Sequence, residues 1–274
     1  MIHARAMELA PAIVGREAER RALHACLAAG RHVLLEGPVG VGKTVLARSV
    51  CDALGRGMVR VDGDGRYTEA KLVGHFDPPA VLRAGYLPEH FVAGPLVGAM
   101  RAGAVLFVNE LNRMPEGVQN VLLPAMDEGV LQVPMIGEVR AAPGFAVVAT
   151  QNPAEFVATG ALSEALLDRF ELVRLDYQAE GDERAIVAQE ARCAPTAEVV
   201  AAAVALTRAT RTDPRVRRGA SVRAAIAIAD IAARLDGDVL GAAALALPTR
   251  IELADNHAGG LAHLLDELKK KLPA

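Results

Sequence analysis

The segment from Gly37 to Thr44, Gly-Pro-Val-Gly-Val-Gly-Lys-Thr, constrains what this chain can fold into more than any other stretch. It satisfies the phosphate-loop pattern GxxxxGK[ST] at every fixed position. Gly37, Gly40 and Gly42 let the backbone wrap closely and turn its N–H groups towards a polyphosphate, with Val39 and Val41 completing the loop. Lys43 reaches the β- and γ-phosphates, and the Thr44 hydroxyl takes Mg2+. A helix starting at the loop's end adds its positive pole. The flanks agree. His32-Val33-Leu34-Leu35-Glu36 is a short apolar run with the pattern of a buried strand. Val45, Leu46, Val50 and Leu54 then recur at helical spacing, with Gly55 as a C-cap. Lysine is scarce: among the first 268 residues only Lys43 and Lys71 are lysine, so GK[ST] is no by-product of composition. The bland alternative is an ordinary glycine turn between strand and helix.

Strand-like runs at His32–Glu36, Met58–Asp62, Ala104–Asn109, Phe145–Thr150 and Leu172–Leu175 alternate with helical patterns, starting with a helix over 18–29. That alternation predicts a parallel sheet covered on both faces. Residues 66–98, rich in Pro and Gly, read as an insertion on the basic pattern. A hairpin over 130–141 is expected around the turn Met135-Ile136-Gly137. Near Tyr177 the chain turns Ala-rich, with helical runs over 184–191, 197–207, 222–235 and 261–272. The expected organisation is therefore an αβα domain over 1–177 and an all-helical domain over 178–274.

Hydrophobic residues make up 52% of the chain but aromatic ones only 3%, without Trp, so the core is built from Ala, Val, Leu and Ile. A net charge of −3 gives no electrostatic reason to expect nucleic acid. Cys26, Cys51 and Cys193 lack disulfide or metal spacing and read as buried thiols of a reducing compartment. The seven histidines are scattered, so no metal beyond Mg2+ is expected. With no basic start followed by an apolar run, and no stretch of about 18 apolar residues, the expectation is a cytoplasmic protein without membrane insertion.

Four further positions carry chemistry. The apolar run 104–108 ends in Asn109-Glu110. In a phosphate-loop fold such a strand delivers its last residues to the γ-phosphate, where Glu110 polarises the attacking water; the alternative is a helix-capping Glu. Asn152 ends the next strand run, where a neutral amide orients water, and an Asx-turn before Pro153 is compatible with that. Arg169, in Leu167-Asp168-Arg169-Phe170, is either a surface ion-pair partner or an arginine finger offered to a neighbouring subunit. Arg223 follows Ser221, a candidate N-cap. A cation in the first helical turn opposes the dipole unless an anion is near, which hints at phosphate. Arginines at 208, 211, 215, 217, 218 and 223 form a cluster read as a solvated loop or a patch facing an acidic neighbour. Lys269-Lys270-Lys271 reads as a solvated helix end.

In this order the motifs resemble those of AAA+ ATPases, and within them the MoxR family. Val14-Gly15-Arg16-Glu17 resembles the segment that lies against adenine. Gly37–Thr44 matches Walker A, and Leu106–Arg113 (LFVNELNR) resembles Walker B. Ala149–Pro153 matches sensor 1 with Asn152 as the sensor, Leu167–Phe170 the arginine-finger segment, and Gly219–Arg223 resembles sensor 2. The resemblance implies a three-layer αβα domain with a five-stranded parallel sheet and a small all-α lid. It implies ATP bound at the subunit interfaces of a ring, usually a hexamer. It also implies chaperone-like remodelling or activation of protein partners, which often carry a von Willebrand factor A domain.

One departure stands out. The family's Walker B acid before the catalytic Glu is Asn109 here, which keeps an oxygen for the Mg2+ shell but loses the charge, so Mg2+ affinity should fall. On the resemblance Asn109 aids Thr44 at the metal, and Asn109→Asp should shift the Mg2+ dependence. Two rival readings stay open: an ATP-dependent assembly module with weak hydrolysis, supported by Asn109, and a nucleic-acid-linked motor, supported by the arginine cluster. Related ring ATPases that help metallate enzymes are a third.

Overall fold

The computed structural model describes residues 13–152, 162–254 and Glu267. The expected helix over 261–272, the lysines at 269–271 and Pro153 lie outside the described residues. By contacts the chain forms two compact units: residues up to Pro38 with Gly42–Leu175, and Val39–Val41 with the residues from Asp176 on.

Among the described residues the first unit is built on nine strands: β1 (His32–Glu36), β2 (Met58–Asp62), β3 (Gly74–Phe76), β4 (Phe91–Ala93), β5 (Val105–Asn109), β6 (Val130–Val133), β7 (Gly137–Arg140), β8 (Ala146–Gln151) and β9 (Phe170–Arg174). Five of them form one sheet in the order β2-β5-β8-β1-β9, every pairing parallel. The central strands are apolar over their middles, with polar residues at their ends, because helices cover both faces. All six residues of β8 are buried, as are Val105–Val108 of β5. Leu96, Val97 and Met100 of the helix Pro95–Ala102 and Leu122 of the helix Leu122–Asp127 complete this core.

The expected insertion over 66–98 is better ordered than its composition suggests. Helices Glu69–Val73 and Pro78–Ala84 flank β3, which pairs with β4 as an antiparallel ribbon. Phe76 joins that ribbon to its surroundings, edge-on to both Tyr86 and Phe91. The anticipated hairpin is β6 with β7, antiparallel around Met135 at φ 64.

The second unit packs helices Glu180–Glu190, Ala197–Thr212, Val222–Ala232 and Val239–Ala246 around Val204, Leu206, Ile228 and Leu247. The last of these helices escapes sequence reading because Val-Leu-Gly-Ala-Ala-Ala-Leu-Ala has no polar face to mark a 3.6-residue period. Its start is fixed by Asp238, which accepts the Gly241 N–H at 2.9 Å. Alongside its helices the unit holds, among its described residues, an antiparallel pair of β10 (Val216–Arg218) with β11 (Glu252–Leu253). Neither strand is long enough to show alternation, and only the tertiary fold brings them together. Of the three cysteines, all free, Cys51 is buried as expected, whereas Cys26 and Cys193 are only half-buried. Among the described residues no helix is long and apolar enough to cross a membrane.

Candidate functional site

The glycine loop leaves β1 and enters the helix Lys43–Ala53. Within the loop Gly40 turns the chain at φ 80. Gly42 occupies the N-cap of the helix at φ 91. Both are left-handed backbone that an L side chain adopts only at a cost, so the turn itself requires Gly42 of the pattern and also Gly40, which the pattern leaves open. Glycine at the N-cap brings no side chain to bond the first-turn N–H groups, which suits that helix end to an anion. Lys43 curls back over the loop and donates from Nζ to the carbonyls of Gly37 (2.6 Å) and Pro38 (3.0 Å). Thr44 follows in the first turn, half-buried, with Val41 buried and Val39 exposed. A polyphosphate fits this cradle: first-turn N–H groups, a cation on a long stem and a hydroxyl sit within one turn of chain. Val14 and Gly15 lead into the helix Glu17–Ala28 through two left-handed residues, Gly15 at φ 64 and Arg16 at φ 68.

Parallel pairing puts the ends of β1, β8 and β5 at one edge of the sheet, the carboxyl edge where open α/β folds bind ligands. Asn109 closes β5 opposite Asp62 of β2. Glu110 follows at φ 56, ψ 52, a left-handed conformation unusual outside glycine. Its carboxylate meets Arg113 Nε at 3.0 Å. Its N–H donates to Thr150 Oγ1 at 2.8 Å, and that hydroxyl donates to Asn109 Oδ1 at 3.1 Å. The Asn109 amide donates to Asp62 Oδ1 at 3.0 Å. Arg60 grips Asp62 through Nη2 at 2.6 Å, and this pairing holds the Asp62 carboxyl below its ordinary range. Asn152 stands just past β8, buried. Beside it, Gln151 donates to Glu36 Oε2 at 2.8 Å, tying the end of β8 to that of β1.

Arg169 lies elsewhere. It immediately precedes β9, whose first residue pairs with His32 at the start of β1. It therefore sits at the amino edge of the sheet, while the glycine loop leaves the carboxyl edge. The five residues of β1 separate the two edges by about 13 Å at ~3.3 Å per residue. Arg169 Nε and Nη2 clasp the two oxygens of Asp127, both at 2.6 Å, and Nη1 donates to the Ala165 carbonyl. So the ion-pair reading of Arg169 is realised within the chain, and the fold does not bring Arg169 to its own loop.

In the second unit Arg223 falls in the first turn of the helix Val222–Ala232, exposed; Ser221 takes the N-cap position without making a side-chain cap bond. Most of the arginine cluster is paired with acidic side chains of the same unit. Arg208 and Arg211 share the buried Glu183, Arg215 pairs with Asp213 and Glu267, and Arg217 and Arg218 face Glu252. Arg211 also stacks on Tyr177, 3.8 Å from its ring centre.

Sequence reading named Thr150 only as part of the sensor 1 segment and missed Asp62 and Asp127. Strand order alone sets Asp62 beside Asn109 and Thr150 beside the Glu110 N–H, and Asp127 is linked to Arg169 only by the fold.

Residues 32–170 match the family described as AAA domain (dynein-related subfamily). Among similar curated proteins is the gas vesicle ATPase GvpN2 of Halobacterium salinarum, 33% identical over 192 residues, 64% of this chain and 56% of that protein. The gas vesicle ATPase GvpN of Ancylobacter aquaticus is 30% identical over 234 residues, 80% of this chain and 65% of that protein. The chain spans about half the length of the curated relatives it matches. Among solved structures, NtrX from Brucella abortus in complex with ADP has a TM-score of 0.59 at 16% identity, covering 96% of this chain and 61% of that one. The Holliday junction branch migration motor RuvB of Thermotoga maritima has a TM-score of 0.54 at 20% identity, covering 85% and 70%. At these identities the likeness is one of fold.

Proposed function

The chain belongs to the AAA domain family, dynein-related subfamily, and from that premise we propose that it is a MoxR-like AAA+ ATPase. It couples ATP binding and hydrolysis to chaperone-like remodelling or activation of a partner protein. One spatial relationship carries the reading. The glycine loop, Asn152 and Glu110 stand at the carboxyl edge of three adjacent parallel strands, β1, β8 and β5.

In this reading Lys43 exchanges the Gly37 and Pro38 carbonyls for the β- and γ-phosphates. The backbone N–H groups of the loop from Val39 through Gly40 to Gly42 line the phosphates. Glu110 takes a proton from the attacking water, Asn152 orients that water, and Arg223 reports the γ-phosphate to the helical domain. Val14 and Gly15 border the adenine. Mg2+, when bound, neutralises phosphate charge. The Thr44 hydroxyl would hold it, with the second lone pair of the Asn109 carbonyl available to a metal-bound water. Arg169, at the opposite edge of the sheet, serves a neighbouring subunit, so the working form is a ring, a hexamer on the MoxR resemblance. The domain division at 177/178 belongs to the same proposal, as does a client with a von Willebrand factor A domain.

Asn109 favours a second reading, an ATP-driven assembly switch with slow turnover. The nucleic-acid reading loses support because five of the six clustered arginines face acidic partners within the unit. ATP turnover against protein concentration and Mg2+, with mass followed by light scattering, tests the proposal. Turnover per subunit should climb steeply as rings form. ATP-driven assembly without turnover would favour the switch, and ATP that neither binds nor turns over would sink both readings.

A further inference from the structure

We infer that Asp62, acting through the Asn109 amide and the Thr150 hydroxyl, sets the backbone of Glu110, and that this contact is why position 109 carries an amide. The inference rests on the role proposed for Glu110.

The bonds form one directed chain across three strand ends. The Glu110 N–H donates to Thr150 Oγ1, Thr150 donates to Asn109 Oδ1, and Asn109 Nδ2 donates to Asp62 Oδ1. Only a group that both donates and accepts can stand in the middle. A carboxylate at 109 accepts from Thr150 equally well, yet meets Asp62 as a second anion about 3 Å away, replacing a hydrogen bond with a repulsion between like charges. Asp62 is not free to yield, because Arg60 holds both of its oxygens. The backbone closes the clamp. Gly63 N–H donates to the Asn109 carbonyl at 2.7 Å, and a Cβ at Gly63 would lie 2.1 Å from the Glu110 carbonyl oxygen. These contacts hold Glu110 in a left-handed conformation that a residue with a side chain adopts only when its surroundings over-determine it. The buried Thr150 is thus a positioning residue, and Asp62, two strands away, anchors it through Asn109 of the strand between them. The loss of charge at 109 is compensated by a carboxylate one strand over. Restoring Asp at 109 should harm the site.

The test is a double-mutant cycle in the full chain, read in two ways. Hydrogen exchange at the Glu110 amide reports the relay itself. It should quicken in N109D and in T150V, return towards the native rate in D62N/N109D, and stay slow in T150S, which keeps the hydroxyl. Turnover reports its consequence. N109D should lose about tenfold in kcat at every Mg2+ concentration with KM for ATP unchanged, short of the ~100-fold that an ångström of misplacement can cost. D62N/N109D should recover to within about threefold of the native chain, and D62N alone should lose less than N109D, because an Asn carbonyl still accepts from residue 109. Undiminished kcat in N109D with a lower Mg2+ requirement would overturn the inference, as would a double variant no better than N109D in exchange or turnover. E110Q separates the two levels. If it turns over ATP, the role of Glu110 falls while the exchange cycle still decides the relay.

Discussion

Asp127 and Arg169 meet as a two-pronged fork, both carboxylate oxygens accepting from the guanidinium at 2.6 Å. Such bidentate geometry fixes the plane of the guanidinium. The pairing holds Asp127 below the usual carboxylate range. On the proposed reading the fork aims Arg169 outward from the edge of the sheet opposite its own loop. Arg169→Ala should therefore leave ATP affinity within about twofold and lower turnover by ~10³-fold or more, the scale of an arginine finger. Mixing Arg169→Ala subunits with Lys43→Ala subunits should restore part of the turnover, since each supplies what the other lacks. Mixed assemblies as inactive as either parent would place Arg169 outside the reaction.

Lys43→Ala removes the cation that closes over Gly37 and Pro38. Thermal unfolding with and without ATP checks it. The native chain should gain about 2.7 kcal/mol at a hundredfold excess over Kd, and the variant nothing. Equal shifts in both would mean that ATP binds away from the loop.

His32 opens the phosphate-loop strand and is held as a neutral imidazole. Nδ1 accepts the Val147 N–H at 2.9 Å, leaving Nε2 to donate to the Met126 carbonyl at 3.0 Å. Burial pushes its pKa below the ordinary 6.5. The unfolded chain then binds the proton at a higher pH than the folded one. The contribution is complete above about 6.5 and is lost as pH falls through that value towards the folded pKa, each unit of depression being worth about 1.4 kcal/mol. Urea midpoints measured between pH 7.5 and 5.5 should fall more steeply for the native chain than for His32→Gln. Parallel slopes would remove His32 as the cause.

Gly63→Ala places a methyl group 2.1 Å from the Glu110 carbonyl oxygen, a contact between two stretches of backbone that no rotamer relieves. The expected loss is roughly 1–3 kcal/mol in denaturant unfolding, as for overpacking elsewhere, with turnover lowered further than stability alone explains. Native stability and turnover in this variant would show that Glu110 tolerates movement.

Much of the architecture is legible in the sequence. His32–Glu36 coincides with the strand read from its apolar run, because its centre is buried and has no polar alternation to blur its limits. Met58–Asp62 coincides too, although it is an edge strand in which only Val61 is buried; there the alternation of Val59 and Val61 with Arg60 and Asp62 marks it. The turn at 135–137 stands out for a related reason: a short break with glycine interrupts two strand-like segments. The insertion over 66–98 is less readable. Its helices and three-residue strands are too short for periodicity to accumulate and are stabilised by Leu72 and Leu96 in a shared core.

The chain by itself determined the phosphate loop, its helix and where the strands of the sheet lie along the sequence, since each is written in contiguous residues whose spacing has a direct physical cause. Only the tertiary structure decided that Asp62 meets Asn109, that Thr150 receives the Glu110 N–H, and that Asp127 clasps Arg169. These partners lie 47, 40 and 42 residues apart. What joins the first two is the parallel pairing of β2, β5 and β8, and what joins the last is the end of the helix Leu122–Asp127 meeting the residue that precedes β9. A contact made by sheet order leaves no periodic trace in sequence, so the residue that looked like a defect at 109 acquires its meaning from the strand beside it.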